Sequence, residues 1–364
     1  MSEINIILLI IIISAVVFFA STKITSKDVS ISNAIIFTGL SMFSTSIPKA
    51  FTDFVLLLLG KSVPNGINPY VKMICGFILL IFGMYYRKNL KEKTYVLNMH
   101  GLTSRDISDE SAIKELKLAD YKVKEQIIDF IPYFKNGQID AQMNDFICLH
   151  IENDVNKFTS KITDNIGCFT GMAPIPYTIY AGTFMEDANI KRYFEYDGRP
   201  GKKVYYELKN ATKKQKKDGW EKLKTYFPNE INAQSSEIVL AISISHMISY
   251  DNLCQFDGKD IVRLQLDNTD DNVIRCKEQL DEYSYNICQF INNELDKNYP
   301  KLQKIHLVAS IPSCVSIEIG KSFGLRQNRN VNIISYHYVR GSSPQYKFGI
   351  YINGENTKGK YVEG

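Results

Sequence analysis

Apolar residues crowd the first ninety-odd positions of this chain and then give way to mixed patterns. Residues 4–20 run seventeen positions without a charge, and 73–86 form a second uncharged run followed by Arg87, Lys88, Lys91 and Lys93. A helix needs roughly twenty apolar residues to cross a bilayer, which 4–20 meets with its small flanking residues. Met1, Ser2 and Glu3 supply no basic n-region, and the apolar run exceeds a signal core, so the segment reads as a retained anchor. Between the two runs, 33–47 and 54–59 are apolar but interrupted by Pro48, Lys49 and Asp53. Pro48 is expected to kink a helix. Lys49 and Asp53, four apart, share a helix face, where they pair or face a partner helix. A broken third span is preferred here over an interfacial helix. The pattern thus predicts two to three membrane helices, at about 4–21, 33–59 and 70–87, within a region 1–93. The basic cluster after 73–86 places the rest of the chain on the cytoplasmic side. Lys23 and Lys27 make the first loop weakly cytoplasmic as well.

From residue 94 onward the pattern is that of a soluble α/β body with an internal repeat. Residues 166–182 (IGCFTGMAPIPYTIYAG) align with 304–320 (KIHLVASIPSCVSIEIG); Pro174 matches Pro312 and Gly182 matches Gly320, both offset by 138 positions. Each copy reads as a buried strand, a small-residue turn with proline, then an apolar helix. Strands follow at 190–197 and 331–338, and final strands at 204–208 and 346–352. Upstream, 93–100 and 237–246 are β-rich, and helical stretches follow at 140–165 and 271–298. Strands alternating with helices predict a mostly parallel, doubly wound sheet in each half, as in a dimer fused into one chain. Such sheets bind ligands at the carboxyl ends of their strands. Two facing helix starts, with free backbone N–H groups, suit a roughly symmetric ligand bearing several phosphates. The plainer reading makes the proline turns tight connections only.

Charge and chemistry narrow this further. A net charge of +4 is too mild to argue for a DNA or RNA duplex as partner. The seven cysteines form no C-x-x-C pair and no zinc spacing; Cys75 lies in the membrane part, and the six of the body are read as reduced core residues, in agreement with a cytoplasmic location. There is no G-x-S-x-G, H-E-x-x-H or P-loop, so no catalytic and no metal residue is assigned, and no cofactor. The acidic positions from Asp251 to Asp271 read as loops around a strand, and the lysine-rich 209–228 as a solvated linking helix held down by Trp220.

The residues 171–182 followed by 193–197, and 306–320 followed by 333–338 and 346–351, resemble the two halves of SAVED domains. The resemblance covers about 94–352 and implies tandem CARF-like, Rossmann-like halves: about 94–208 and 237–352 within a SAVED domain 94–364. It implies a cyclic-oligonucleotide receptor of CBASS anti-phage defence, the ligand often a cyclic trinucleotide. With membrane segments ahead, it further implies an inner-membrane effector whose ligand drives homo-oligomerisation, clustering of helices in the lipid bilayer, membrane damage and cell death. A membrane-anchored enzyme acting on a nucleotide or phosphorylated small molecule is the rival reading, and a small-molecule-gated channel a third.

By that resemblance the two turns line the groove: Thr170, Gly171, Ala173, Pro174 and Ile175, and Ala309, Ser310, Pro312 and Ser313. Small residues permit close backbone approach to phosphate. Ser243, Ser245 and His246, ending a strand, either touch ligand or cap a turn. Tyr196 and Tyr336 are stacking candidates, with strand core as the alternative. Arg192 and Lys321 either neutralise phosphate or are solvated; Glu195 and Glu318 would repel it, and instead accept a base amine or bridge subunits.

Overall fold

A computed structural model of the protein describes residues 27–59, 69–89, 92–101, 104–135, 139–163, 165–186, 188–325 and 331–364. The run 4–20, Lys23 and Lys91 lie outside these residues. The chain divides into two compact units, Met1–Glu92 and Lys93–Gly364.

In the first unit, α1 (Lys27–Leu58) packs on α2 (Pro69–Asn89). The helix α1 continues through Pro48, so the expected break does not interrupt it. Proline there forfeits one backbone hydrogen bond, and the bonds on either side keep the helix whole. Ser32 Oγ donates to Gly83 O at 3.0 Å and Tyr70 Oη to Ala50 O at 3.2 Å, which makes the pair antiparallel. Glycines set the spacing: a Cβ on Gly39 would come 2.6 Å from Leu80 N, and one on Gly76 2.6 Å from Phe43 N. Residues without side chains at these crossings let the two backbones approach closely. Asp53 is buried, and its Oδ2 has no hydrogen-bond partner among the described residues. Among those residues one helical stretch, Pro69–Tyr86, is long and apolar enough to cross a membrane.

The second unit begins with β1 (Glu92–His100), α3 (Glu110–Glu115), β2 (Tyr121–Asp129), α4 (Ile131–Lys135) and α5 (Ala141–Ile162). Asp140 caps α5 by accepting from Met143 N at 2.8 Å; Ile147, Ile151, Val155, Phe158 and Ile162 recur at helical spacing and bury one face. Then follow β3 (Ile166–Gly171), α6 (Ile175–Gly182), β4 (Ile190–Asp197) and β5 (Val204–Glu207). These strands form a sheet in the order β2-β1-β3-β4-β5, with β1, β3 and β4 parallel and β5 antiparallel to β4.

The link differs from the single helix expected over 209–228. It holds α7 (Lys213–Asp218), closed by a Thr212–Gln215 capping box and stopped at Gly219, whose φ of 71° a helix cannot continue. A short strand β6 (Lys224–Tyr226) follows. Trp220 is partly buried and donates to Glu282 at 3.1 Å.

The second half runs β7 (Glu237–Ser243), a 3₁₀ turn Asp251–Phe256, β8 (Asp260–Gln265), α8 (Lys277–Gln289), a π turn Phe290–Glu294 and α9 (Leu295–Asn298). It ends with β9 (Lys304–Ser310), α10 (Ser313–Leu325), β10 (Asn332–Tyr338), β11 (Tyr346–Tyr351) and β12 (Tyr361–Glu363). Its sheet has the order β12-β11-β10-β9-β7-β8-β6. The inner run β8-β7-β9-β10-β11 repeats the order of the first sheet, with β8, β7, β9 and β10 parallel and β11 antiparallel to β10. The edge strand β2, half exposed and lysine-rich, was not foreseen from the pattern; β8 is the strand among the acidic loops. Leu97, Phe169, Tyr177, Leu240, Leu307 and Ile317 belong to one continuous core, so the two halves fold against each other. The architecture is α/β with two sheets.

Candidate functional site

Strand register fixes where the two turns emerge. Parallel pairing sets Met99 beside Gly171 at the carboxyl edge of the first sheet, and Ser243 beside Ser310 at that of the second. Gly101 lies against the first turn, where a Cβ would sit 2.7 Å from Ala173 Cα; a Cβ on Gly171 would meet Met99. In the second half Ser310 O accepts from Ile244 N and Ser245 N at 2.9 Å each, and Ser310 Oγ accepts from His246 N at 3.1 Å. Ser245, His246 and Ser310 are thus brought together, tied through their own backbone. The His246 ring is exposed and meets Asp271 at 3.1 Å.

A cavity of about 760 Å³ opens at this edge, within the size range of ligand sites. It is bounded by Ala173, Pro174, Ile175 and Pro176 of the first turn, Ala309 ending β9, and Tyr336 to Arg340 leaving β10. Phe134, Lys347 and Phe348 close its sides. Of the predicted residues, Ala173, Pro174, Ile175 and Tyr336 border it, as does Ala309. Thr170, Gly171, Ser245, His246, Ser310, Pro312, Ser313 and Tyr196 do not. The cavity therefore draws more on the first turn and the β10–β11 hairpin than on the second turn.

His337 of β10 also borders the cavity, among its aromatic lining. Its ring centroid lies 5.2 Å from both Phe134 and Phe348, and burial pushes its pKa down to about 4, so the ring is neutral at pH 7. Strand alternation sends Tyr336 the other way: its ring packs 5.1 Å from Phe256 and its hydroxyl lies 2.9 Å from His306 Nδ1. Tyr336 is therefore a core residue rather than a stacking platform. Tyr196 is likewise held in the first half, 5.2 Å from Tyr205 and under the Arg105 guanidinium. Sequence reasoning missed His337, although the same period-two alternation marks it.

The two helix starts are not the free anion seats expected. At α10, Cys314 N donates to Glu195 Oε1 at 3.0 Å, so a carboxylate from β4 already occupies that end. Burial raises the Glu195 carboxyl to about 7, against the pull of its bonds from Cys314. At α6, the residue 138 positions earlier is Pro176, which has no N–H to give. Basic charge at the cavity comes instead from Arg340 and Lys347. Arg192 is gripped by Glu207 through two bonds of 2.7 and 3.0 Å, and Lys321 pairs with Glu318 at 3.0 Å, so neither is a solvated cation awaiting phosphate. Glu318 also accepts from Tyr193 Oη across the halves.

His100, Asp106 and Glu125 bring potential ligand atoms within 4.8 Å of one another. The centre of that cluster is taken by the Asn98 amide, 2.7 Å from Glu125 Oε1 and 2.9 Å from His100 Nε2. All seven cysteines are free. Cys148 and Cys168 are buried, and desolvation pushes both up to about 12, which leaves them inert thiols. Cys254 is exposed, unlike the core position expected of the body's cysteines, and Cys75 of the first unit is exposed as well.

Comparison with known proteins gives this arrangement a family. Among solved structures, the chain is similar to the Cap4 SAVED/CARF-domain containing receptor of Acinetobacter baumannii with the cyclic trinucleotide 2'3'3'-cAAA. Identity is 13%, coverage 91% of this chain and 67% of that chain, and the TM-score 0.46. The same receptor with 3'3'3'-cAAA gives 12% identity, 93% and 66% coverage and a TM-score of 0.45. The Cap4 receptor of Moraxella osloensis gives 14%, 75% and 55%, and 0.39. The chain thus spans about two thirds of the length of the Acinetobacter receptor. No curated protein matches it. The model of the SAVED family, the SMODS-associated and fused to various effectors sensor domain, matches residues 151–352, more than half of the sequence. With both turns, the strands between them and the second half inside that match, the chain belongs to the SAVED family.

Proposed function

We propose that this protein is a cyclic-oligonucleotide receptor of CBASS-type defence whose ligand seat is the cavity between the first turn and the β10–β11 hairpin. One observation carries the reading: Pro174 of one half and Ala309 of the other border a single cavity at the carboxyl edge of a SAVED domain. Its walls combine apolar and aromatic surface with Arg340 and Lys347, the mixture that holds bases by stacking and phosphates by charge. The Acinetobacter receptor's ligand makes a cyclic trinucleotide the first compound to try.

The output is proposed to be membrane damage. In the α1–α2 pair, Phe51, Leu58, Ile74, Phe77, Ile78 and Phe82 are exposed, large apolar side chains that a bilayer would cover. Ligand-driven assembly of the sensor in the cytoplasm then clusters these helices in the inner membrane. Binding, not turnover, is the proposed role of the site.

The test is calorimetric titration of the full-length protein in detergent with cyclic di-, tri- and tetranucleotides, with sedimentation and chromatography of the recovered nucleotide. A trinucleotide binding in the micromolar range, recovered intact and accompanied by larger assemblies, is expected. No binding below about 1 mM, about −4 kcal/mol, ends the receptor reading. Recovery of a linear nucleotide would favour the enzyme instead.

A further inference from the structure

Three arginines in the sensor unit use, or leave open, the same side of the guanidinium. Arg192 grips Glu207 with Nε and Nη2 at 2.7 and 3.0 Å. Arg199 grips Asp197 with the same fork, at 2.8 and 2.6 Å. Arg263 on β8 has the same fork buried, yet its Nε and Nη2 make no hydrogen bond among the described residues. Only Nη1 is engaged, donating to Ile248 O at 2.6 Å. Arg263 is 7% exposed. No carboxylate within the described residues pairs with it.

A guanidinium stays charged at any pH a protein meets, and an enclosed charge without a counter-charge is costly. One ring lies over it. Tyr250 lies with its centroid 4.0 Å from the guanidinium carbon and is 71% exposed, a surface side chain resting as a cover. The cover belongs to the segment that leaves the carboxyl end of β7 through Ser245 and His246. Its sheet neighbours are Ala241 on β7 and Tyr226 on β6, neither of which offers a counter-charge.

We propose that Arg263 is an oxyanion seat gated by Tyr250, taking a phosphoryl group on its Nε/Nη2 fork when the ring swings away. The choice of a phosphoryl group over a carboxylate rests on the receptor reading, because the cover is continuous with the edge where the nucleotide is placed. The phosphoryl group belongs either to the cyclic nucleotide or to free phosphate, and the test separates the two.

The full-length protein in detergent is melted in rising inorganic phosphate at constant ionic strength, with chloride and acetate as controls. Wild type is expected to gain stability saturably with phosphate and much less with acetate. Arg263→Gln and Arg263→Met are expected to lose that response while melting higher than wild type in chloride, since each removes an uncompensated charge. Tyr250→Ala, on the surface, is expected to fold and to bind phosphate several-fold more tightly. In the second arm, Arg263→Gln weakens cyclic triadenylate by roughly tenfold or more if the ring's phosphate is the occupant. Unchanged ring affinity with a lost phosphate response assigns the seat to free phosphate. A phosphate response that is absent, or equal in wild type and Arg263→Gln, overturns the seat whether or not the nucleotide binds. Failure of wild type to bind any cyclic nucleotide ends the receptor reading but leaves the phosphate arm to decide this one.

Discussion

Gly182 and Gly320 touch across the centre of the sensor unit. A Cβ on Gly182 would lie 2.8 Å from Gly320 Cα, and a Cβ on Gly320 would lie 3.0 Å from Gly182 Cα. The relation is reciprocal beyond the pair: Gly182 abuts Ile317 O while Gly320 abuts Ile179 O, and Ile179 and Ile317 are themselves 138 positions apart. Contacts that exchange partners in this way are the mark of a two-fold interface, here folded into one chain.

Any side chain at that crossing must push α6 and α10 apart. Gly182→Ala and Gly320→Ala are each expected to destabilise the sensor by about 1–3 kcal/mol. The double variant should cost less than the sum, because one separation accommodates both. Urea unfolding of the four proteins checks this; additive costs would mean the helices do not share a contact.

Glu195 is expected to leave a pH signature. Its carboxyl titrates near 7 in the folded protein and near its ordinary 4.5 when unfolded. Between those values the native state holds the extra proton, so this residue's contribution to stability falls as pH rises from about 4.5 to about 7 and is level above. His337 works the other way: with its folded pKa near 4, stability is lost as pH falls from 6.5 toward 4. The two cancel in part, so the informative quantity is the difference between wild type and Glu195→Gln. That difference should grow in favour of the glutamine variant up to about pH 7, and a pH-independent difference would contradict the enclosed carboxyl.

Filling the cavity should abolish ligand binding without unfolding the protein. Ala173→Trp places a large ring at the cavity wall, and at least a tenfold loss of cyclic-trinucleotide affinity is expected, about 1.4 kcal/mol. Lys347→Glu should weaken binding and flatten its dependence on salt, since a screened attraction has been replaced by a repulsion. Titrations at two salt concentrations test both; full affinity in Ala173→Trp would move the ligand elsewhere.

The helix pair of the first unit offers a separate handle on the output. Gly39→Leu or Gly76→Leu cannot be accommodated where a Cβ already meets a backbone nitrogen at 2.6 Å. Such variants are expected to bind cyclic nucleotide with normal affinity yet fail to permeabilise cells or vesicles. Dye uptake set beside calorimetry measures the two properties independently, and undiminished uptake would remove the pair from the mechanism.

Much of this molecule was legible in the order of its residues. The 138-position offset joining Pro174 to Pro312 and Gly182 to Gly320 foretold two like halves, and the five strands of the first sheet recur in the same order inside the seven-stranded second. An uncharged run foretold α2, and the helical stretch at 140–165 foretold α5, whose apolar residues recur at helical spacing and bury one face. What the order of residues could not show was which distant groups meet. Glu195 reaches Cys314 across 119 positions, and Asn98 fills the centre of a cluster drawn from β1, β2 and the loop between them. Strand alternation marks two faces of β10, but only the packed sheets decide that His337 turns toward the cavity and Tyr336 toward Phe256. Local periodicity is written residue by residue along the chain. The occupation of a helix end, the cover over a guanidinium and the wall of a cavity are settled only when segments far apart in sequence compete for the same space.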